Sequence, residues 1–224
     1  MRLERKHPLP TRIYHWTNAV ALPVMIVSGL MIFWAEGTYR LGPIKFFPAW
    51  FYRNALWRLD HRLAEGSWWH FTFMWAFGLN GLLYVLYTAV SGEWRYLLPN
   101  KSSFAEAWQV VRHDLGLRKE PLPRRKFNGA QRIAYTGVVA MGLGSILTGL
   151  AIYKPVQLKW LTWLCGGYEL ARVWHFALTL GYVGFFGIHI TQVIRAGWNN
   201  FRSMVIGVEV ARDEEPTYES AARS

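Results

Sequence analysis

The sequence contains almost no cysteine: Cys165 is the only one in 224 residues. A single thiol excludes an internal disulfide, an iron–sulfur site held by cysteines alone and a covalent CxxCH haem attachment within this chain. We interpret Cys165 as a small buried or interfacial hydrophobic residue. The sequence also shows no internal repeat, no strand pattern, no phosphate-binding loop and no nucleophile–base or carboxylate pair in its apolar runs. These runs therefore predict no hydrolytic or group-transfer chemistry.

Charged side chains are missing from the interiors of four long apolar stretches, although 17% of all residues are charged. The stretches cover residues 13–34, 66–91, 133–153 and 172–196. Each is long enough to cross a hydrocarbon core of about 30 Å as a helix. Aromatic residues reach 17%, with 13 tryptophans, which is typical of the interfacial belts of membrane proteins. The sequence therefore predicts an all-α integral membrane four-helix bundle over residues 1–210, followed by an acidic disordered tail at 211–224.

The basic residues are spread between the apolar stretches and do not form one stripe, so the net charge of +11 does not predict nucleic-acid binding. Seventeen of the 25 Lys and Arg residues precede residue 13, fall in the 93–132 loop or lie from residue 195 onward. The loops 35–65 and 154–172 carry the other eight. The positive-inside rule therefore predicts cytoplasmic termini. The basic run 124–126 predicts contact with anionic membrane lipid.

The 35–65 loop, which cytoplasmic termini would place on the outer side, combines six aromatic residues with Arg53 and Arg58. They are Phe46, Phe47, Trp50, Phe51, Tyr52 and Trp57. This composition predicts an amphipathic element on the outer membrane surface. Simple interfacial anchoring is the preferred interpretation, and a docking platform for a partner is the alternative.

Two histidines, His175 and His189, lie in the fourth apolar stretch and are 14 residues apart. In a helix this spacing brings them within roughly 40° of one face and about 21 Å apart along the axis. An ionisable residue inside a membrane span is a functional-site hypothesis by default. Two on one face, near opposite membrane surfaces, suggest two cofactors stacked across the bilayer.

Two further histidines match these two in depth. His70 lies near the outer start of the second span, as His175 does in the fourth, and His15 lies near the inner start of the first span, like His189. Neutral imidazoles from facing helices are suitable axial ligands for low-spin iron. The pattern predicts two haems b, held by His70/His175 and by His15/His189. A metal-transport site would instead cluster its ligands at one depth.

Other residues have two open interpretations each. Arg12 and Arg172 flank the histidines and either pair with haem propionates or are ordinary helix-end arginines. Glycines could admit a porphyrin face or serve helix packing; they are Gly29, Gly78, Gly81, Gly144, Gly181 and Gly184. For Asn80 and Tyr84 we favour interhelical hydrogen bonds over quinone or haem contacts. We interpret the extramembrane histidines as surface residues; they are His7, His61 and His113.

The segments RIYHW, WWHF, RVWHF and GIHITQV carry the four histidines in order and resemble the bacterial cytochrome b561 superfamily. Within it, the chain resembles the di-haem cytochrome b subunits of thiosulfate reductase, Ni/Fe hydrogenase and formate dehydrogenase. The phrases HPLPTRIYHWTNA, HRLAEGSWWHFTF and YTAVSGEWRYLLP are most similar to the thiosulfate reductase type, which often works with a molybdopterin enzyme. The resemblance extends over about Lys6 to Gly207.

The resemblance implies a multi-pass subunit of the bacterial inner membrane that conducts electrons. An outer-face oxidoreductase, with a molybdopterin enzyme as the first choice, would exchange electrons with the outer haem. The inner haem would exchange them with quinone. One alternative is a stand-alone cytochrome b561 that passes electrons from a small donor such as superoxide to quinone, and another is a haem-free transporter or scaffold.

Overall fold

The structure, a computed structural model, describes residues 1–35, 40–41, 44–45, 59–117 and 127–211. The helices in these residues are α1 (Leu9–Phe33), α2 (Leu63–Ser91), α3 (Trp94–Leu97), α4 (Ser103–Asp114), α5 (Gly129–Tyr153), α6 (Lys159–Leu164) and α7 (Tyr168–Ile206). By length and composition, α1, α2, α5 and α7 can each cross a membrane. Each of these four begins three or four residues before the apolar stretch that predicts it. The predicted outer-surface element at 46–57, the basic run 124–126 and residues 212–224 of the tail lie outside the described residues.

Local sequence signals explain where two of the long helices begin and end. At the start of α5, Asn128 and Gln131 form a reciprocal cap: Asn128 Oδ1 accepts from the Gln131 amide at 2.9 Å, and Gln131 Oε1 accepts from the Asn128 amide at 3.0 Å. In α7 the regular helix breaks at Gly197, whose φ of 77° lies in the left-handed region that favours glycine. The apolar stretch predicted to end at residue 196 stops at this break.

The chain divides into two compact units. One comprises Met1–Ile13, Leu83–Ser145 and Gly184–Ser224, and we call it the terminal unit because it contains both chain ends. The other comprises Tyr14–Leu82 and Ile146–Val183. We call it the histidine-pair unit because it contains His70 and His175.

Aromatic and small residues join helices in the histidine-pair unit. Phe33 of α1 stacks on Phe176 of α7, with ring centroids 4.3 Å apart. On α2, a Cβ at Gly66 would lie only 2.7 Å from the Cβ of Met31, so this approach of α2 to α1 requires a glycine. Ala151 of α5 is fully buried and forms a cluster with Leu161 and Ala171. Close contact through small residues is how helices associate in lipid, where no hydrophobic force drives them together.

Short strands pair the two ends of the described chain in the terminal unit. Strand β1 (Arg2–Arg5) runs antiparallel to β4 (Val208–Ala211). Next to them, Lys6 Nζ lies 2.7 Å from Glu209 Oε2 and 3.0 Å from Asn200 Oδ1. Only 16% of the Lys6 side chain and 8% of the Glu209 side chain are exposed. The strand pair and the Lys6–Glu209 contact form a terminal clasp that brings residues 2 and 211 together.

The strands and His7 correct the sequence analysis. The sequence shows no strand pattern, yet the structure has the β1–β4 pair and a second antiparallel pair, β2 (Arg40–Leu41) with β3 (Ile44–Lys45). Strands of two to four residues are too short to give a periodic signal, and the partners β1 and β4 lie at opposite ends of the chain. The prediction that His7 is a surface residue is wrong: it is 8% exposed beside the clasp, and its amide donates to Gly207 O at 3.3 Å.

Replacing Glu209 with Gln tests whether the Lys6–Glu209 pair stabilises the clasp. The change removes the carboxylate charge that lies 2.7 Å from the largely buried Lys6 ammonium, which should destabilise the strand pair by about 2 kcal/mol. Amide hydrogen exchange in β1 and β4 should then accelerate about 10-fold or more. The control is Glu65→Gln, which removes a pair with Arg62 whose side chains are 41% and 46% exposed; it should leave that exchange unchanged. Unaltered exchange in the Glu209 variant would refute a stabilising role for the pair.

A paired-imidazole site

The structure brings together His70 of α2 and His175 of α7, the two histidines of the predicted outer pair. Their ring centroids are 6.2 Å apart and the ring planes cross at 74°. An imidazole nitrogen binds a first-row metal at about 2 Å, so two imidazoles on opposite sides of one metal ion have ring centres roughly 6 Å apart. The observed separation fits a shared metal ion and is too long for a hydrogen bond between the two rings.

Ser28 and Gly29 of α1 support the imidazole of His70. Ser28 Oγ lies 3.0 Å from His70 Nδ1 and donates to Val24 O at 2.6 Å. A Cβ placed on Gly29 would lie 3.3 Å from His70 Cε1, so the absence of a side chain lets the ring approach the α1 backbone. The serine is only 2% exposed. With Nδ1 engaged, Nε2 is the ring nitrogen suited to bind a metal.

Thr148 and Gly149 of α5 support His175 in the same way. Thr148 Oγ1 lies 2.8 Å from His175 Nδ1, and the threonine is 7% exposed. A Cβ on Gly149 would lie 3.3 Å from His175 Cε1. Each imidazole is therefore held by a hydroxyl residue and the glycine that follows it on an adjacent helix.

The sequence analysis did not predict these supporting residues, because the sequence pattern that they share is a weak signal. The dipeptides Ser28–Gly29 and Thr148–Gly149 share the pattern of a hydroxyl residue followed by glycine, but so do Ser91–Gly92 and Thr136–Gly137. In a single sequence the pattern alone does not indicate which pairs face a histidine.

Aromatic side chains pack next to His175 on α7. Phe176 is 5% exposed and lies between Phe33 and Trp34 of the α1 end, with ring centroids 4.3 Å and 6.1 Å away. Further along the helices, Phe77 meets Tyr182 edge to face at 6.3 Å. Aromatic side chains therefore form part of the surroundings of the imidazole pair.

His15 and His189, the predicted inner pair, belong to different units. His15 contacts Trp16 edge to face at 5.1 Å. The turn that carries it is fixed by Asn80, which is 7% exposed and whose Nδ2 donates to Tyr14 O at 3.0 Å. The expected interhelical hydrogen bond of Asn80 is thus confirmed. The ring of His189 stacks on Phe185, one turn earlier on α7, at 5.8 Å. The pairing of His15 with His189 stays a prediction.

The structure gives both candidate propionate-binding arginines protein partners. Arg12 Nη1 donates to Val205 O at 2.5 Å, which satisfies one of the last carbonyls of α7. Arg172 Nη1 donates to Glu169 Oε2 at 3.2 Å on the protein surface. These contacts account for both residues as helix-end arginines, and their pairing with haem propionates stays a prediction.

The glycines differ in their surroundings. A Cβ on Gly78, Gly81 or Gly184 would meet no protein atom within 4 Å, so each has open space beside it. Gly29, by contrast, makes room for the imidazole of His70. Gly149 likewise makes room for the imidazole of His175.

The long apolar helices and the imidazole pair are typical of a membrane protein of the cytochrome b class. The comparisons give the family: the model for prokaryotic cytochrome b561 matches residues 6–207, so the chain belongs to that family. A protein of Azospira oryzae, named as protein-methionine-sulfoxide reductase subunit YedZ1, is 30% identical over 197 residues. The match covers 84% of this chain and 89% of the relative. The chain is therefore a multi-pass bacterial membrane cytochrome b that takes part in electron transport.

The donor set of the site fits the b-type haem that the family implies. Among the described residues, no group of three His, Cys, Asp or Glu side chains comes together to hold a bare metal ion. A porphyrin supplies four nitrogens to its iron, so the protein has to supply only the two axial ligands. Two facing imidazoles with Nδ1 engaged meet that requirement, and His70 and His175 would hold the group.

Adding a methyl group at Gly29 or Gly149 tests whether the imidazoles need this close approach. Gly29→Ala and Gly149→Ala should push the ring of His70 or His175 and lower bound haem b to about half that of the wild-type protein, since ligand geometry tolerates little displacement. The control is Gly137→Ala, where a Cβ meets no atom within 4 Å. This variant should keep full haem and gain up to about 1 kcal/mol of helix stability. Full haem content in both test variants, measured as absorbance per polypeptide, would contradict the packing argument.

Proposed function

We propose that the chain is the membrane di-haem cytochrome b subunit of a quinone-linked oxidoreductase. It carries electrons across the bacterial inner membrane between a redox partner on the outer face and the quinone pool. The observation that carries this proposal is the facing pair His70 and His175, with ring centroids 6.2 Å apart and both Nδ1 atoms bonded to hydroxyls. Such a pair suits electron transfer because His70 and His175 would both hold the haem iron, which would leave no open site for a substrate.

In this proposal the residues of the chain provide rigidity and a dry environment. A bound haem b supplies a reversible one-electron couple, Fe(III)/Fe(II). Ser28 and Thr148 hold the two imidazoles in one orientation, and Phe176, the neighbour of His175 on α7, packs with Phe33 and Trp34 into an apolar cluster. A site whose ligands keep their positions in both oxidation states needs little rearrangement when an electron arrives or leaves.

The proposed second haem would be held by His15 and His189. Helix α7 carries one ligand of each pair, and the spacing of 14 residues separates them by about 21 Å along a regular helix. The α2–α1 hydrogen bond from Asn80 to Tyr14 O would hold the turn of His15 in place. Two haems at different depths would form a path across the hydrocarbon core, and neither alone would span it.

The proposed topology follows from the distribution of charge. The more basic ends and the 93–132 loop face the cytoplasm, which puts the His70/His175 pair near the outer surface and the His15/His189 pair near the inner one. A quinone would then exchange electrons at the inner haem. Pairing of β1 with β4 supports a common side for the two ends of the described chain.

For the partner, we propose an outer-face oxidoreductase, with a molybdopterin enzyme as the first candidate. The relative from Azospira oryzae is named as a reductase subunit, which supports a role within a complex. The resemblance of the HPLPTRIYHWTNA and HRLAEGSWWHFTF segments to thiosulfate reductase cytochromes b supports the molybdopterin class. Co-purification in mild detergent tests this. A soluble redox subunit should be recovered with the chain, whereas oxidation of a small donor such as superoxide by the isolated chain would favour the stand-alone alternative.

Single histidine substitutions test the ligand assignment. His70→Ala and His175→Ala should each remove about half of the b-haem absorbance, and so should His15→Ala and His189→Ala, because a low-spin haem needs both axial ligands. The two variants of one pair should lose the same haem, identified by its midpoint potential in a redox titration. If His70→Ala and His175→Ala removed different haems, the proposed pairing would be wrong.

The matched controls are two extramembrane histidines. His113→Ala and His61→Asn should both keep the full spectrum. Asparagine is the suitable replacement at His61 because this residue has φ 58° and asparagine tolerates the left-handed region. Loss of haem in the controls would show that the assay reports on folding and not on ligation.

A further inference from the structure

The proton position on His70 follows from the hydrogen bonds of Ser28. A serine hydroxyl has one hydrogen to donate. Ser28 Oγ lies 2.6 Å from Val24 O and 3.3 Å from Met25 O, and both carbonyls can only accept. The hydrogen therefore points to a carbonyl, and the contact of 3.0 Å with His70 Nδ1 requires the ring to donate. The backbone of Met25 is a second hydrogen-bond partner of the His70 ring. His70 thus carries its proton on Nδ1, and the lone pair of Nε2 is available to a metal.

For His175 the position of the ring proton follows from the proposed ligation. A neutral imidazole that ligates through Nε2 carries its hydrogen on Nδ1. The atom that faces His175 Nδ1 is Thr148 Oγ1, at 2.8 Å and in a residue that is 7% exposed. With ligation of His175 through Nε2, as proposed above, the threonine oxygen is the acceptor of this ring proton. Both hydroxyls come from helices other than those that carry the histidines.

We propose that Ser28 and Thr148 are positioning residues that set the reduction potential and the imidazole orientation of the haem held by His70 and His175. The inference rests on the proposed ligation by this pair. Each hydroxyl oxygen accepts the Nδ1–H bond of one imidazole, which fixes the tautomer and the rotation of the ring. The angle of 74° between the ring planes is the geometry that the two contacts maintain.

The expected direction of the effect follows from the ligand's basicity. A hydrogen bond accepted from Nδ1–H makes Nε2 a stronger electron donor. A stronger donor stabilises ferric over ferrous iron, so it lowers the reduction potential. Removing the acceptor should move the potential of this haem to a more positive value and leave that of the other haem unchanged.

The test compares Ser28→Ala and Thr148→Val with hydroxyl deletions that do not touch a ring. The matched controls are Thr72→Val and Thr179→Val. Thr72 lies two residues after His70, and its Oγ1 donates to Trp68 O at 2.7 Å. Thr179 lies four residues after His175, and its Oγ1 donates to His175 O at 3.1 Å. Thr148→Ser restores the acceptor without the methyl group and serves as the conservative variant.

Two measurements on the purified full-length chain give the readout. An optical redox titration reports the potential of each haem, and low-temperature electron paramagnetic resonance of the oxidised protein reports the angle between the axial imidazole planes. In Ser28→Ala and Thr148→Val, one haem should shift to a more positive potential and its low-spin signal should change in g-anisotropy. Thr148→Ser, Thr72→Val and Thr179→Val should match the wild-type protein.

Each outcome decides the proposal. Selective loss of one haem in Ser28→Ala and Thr148→Val, with both haems kept in the controls, also supports a positioning role. A variant that keeps both haems with wild-type potentials and an unchanged signal overturns the assignment for that residue. Equal shifts in the controls overturn it too, since any hydroxyl deletion would then have the effect. Failure of the proposed function is distinguishable, because the wild-type chain itself would then lack one of its two low-spin signals.

Discussion

The structure depends on one requirement: two imidazoles on different helices must face each other with Nδ1 of each ring bonded to a hydroxyl. His70 and His175 meet it with ring centroids 6.2 Å apart. In lipid an unsatisfied ring nitrogen is costly, and no water is available to compensate. Ser28 and Thr148 supply the missing partners for Nδ1, so that the remaining nitrogen of each ring can serve a cofactor.

This requirement explains several other features of the helices. The glycines after each hydroxyl residue give the imidazole room against the neighbouring backbone. Helix α1 packs against α7 through the stack of Phe33 on Phe176, and against α2 through the contact of Gly66 with Met31. This packing places the hydroxyl of Ser28 beside the ring of His70. Asn80 uses a side-chain amide to hold the turn of His15. Polar residues are rare in these spans, and Ser28, Thr148 and Asn80 use theirs to fix a histidine or a neighbouring helix in position.

Much of this architecture was predictable from the sequence because it depends on local and periodic signals. The length of the uncharged apolar stretches predicted the four helices. The depths of the histidines predicted the His70/His175 pair that the structure brings together. The supporting hydroxyls were not predictable, since a serine on α1 and a histidine on α2 are 42 residues apart and no local pattern links them. The β1–β4 pair was missed for the same reason, and the burial of His7 follows from that unpredicted contact between chain ends.

The most direct test of the account isolates the His70/His175 pair. In a double variant, His15→Ala with His189→Ala, the proposed inner haem has no axial ligands and only the facing pair remains. Haem quantification together with electron paramagnetic resonance should then give one haem b per polypeptide with a low-spin signal of bis-imidazole ligation. A haem-free protein, or a high-spin signal with an open axial position, would contradict the claim that these two imidazoles form a haem site.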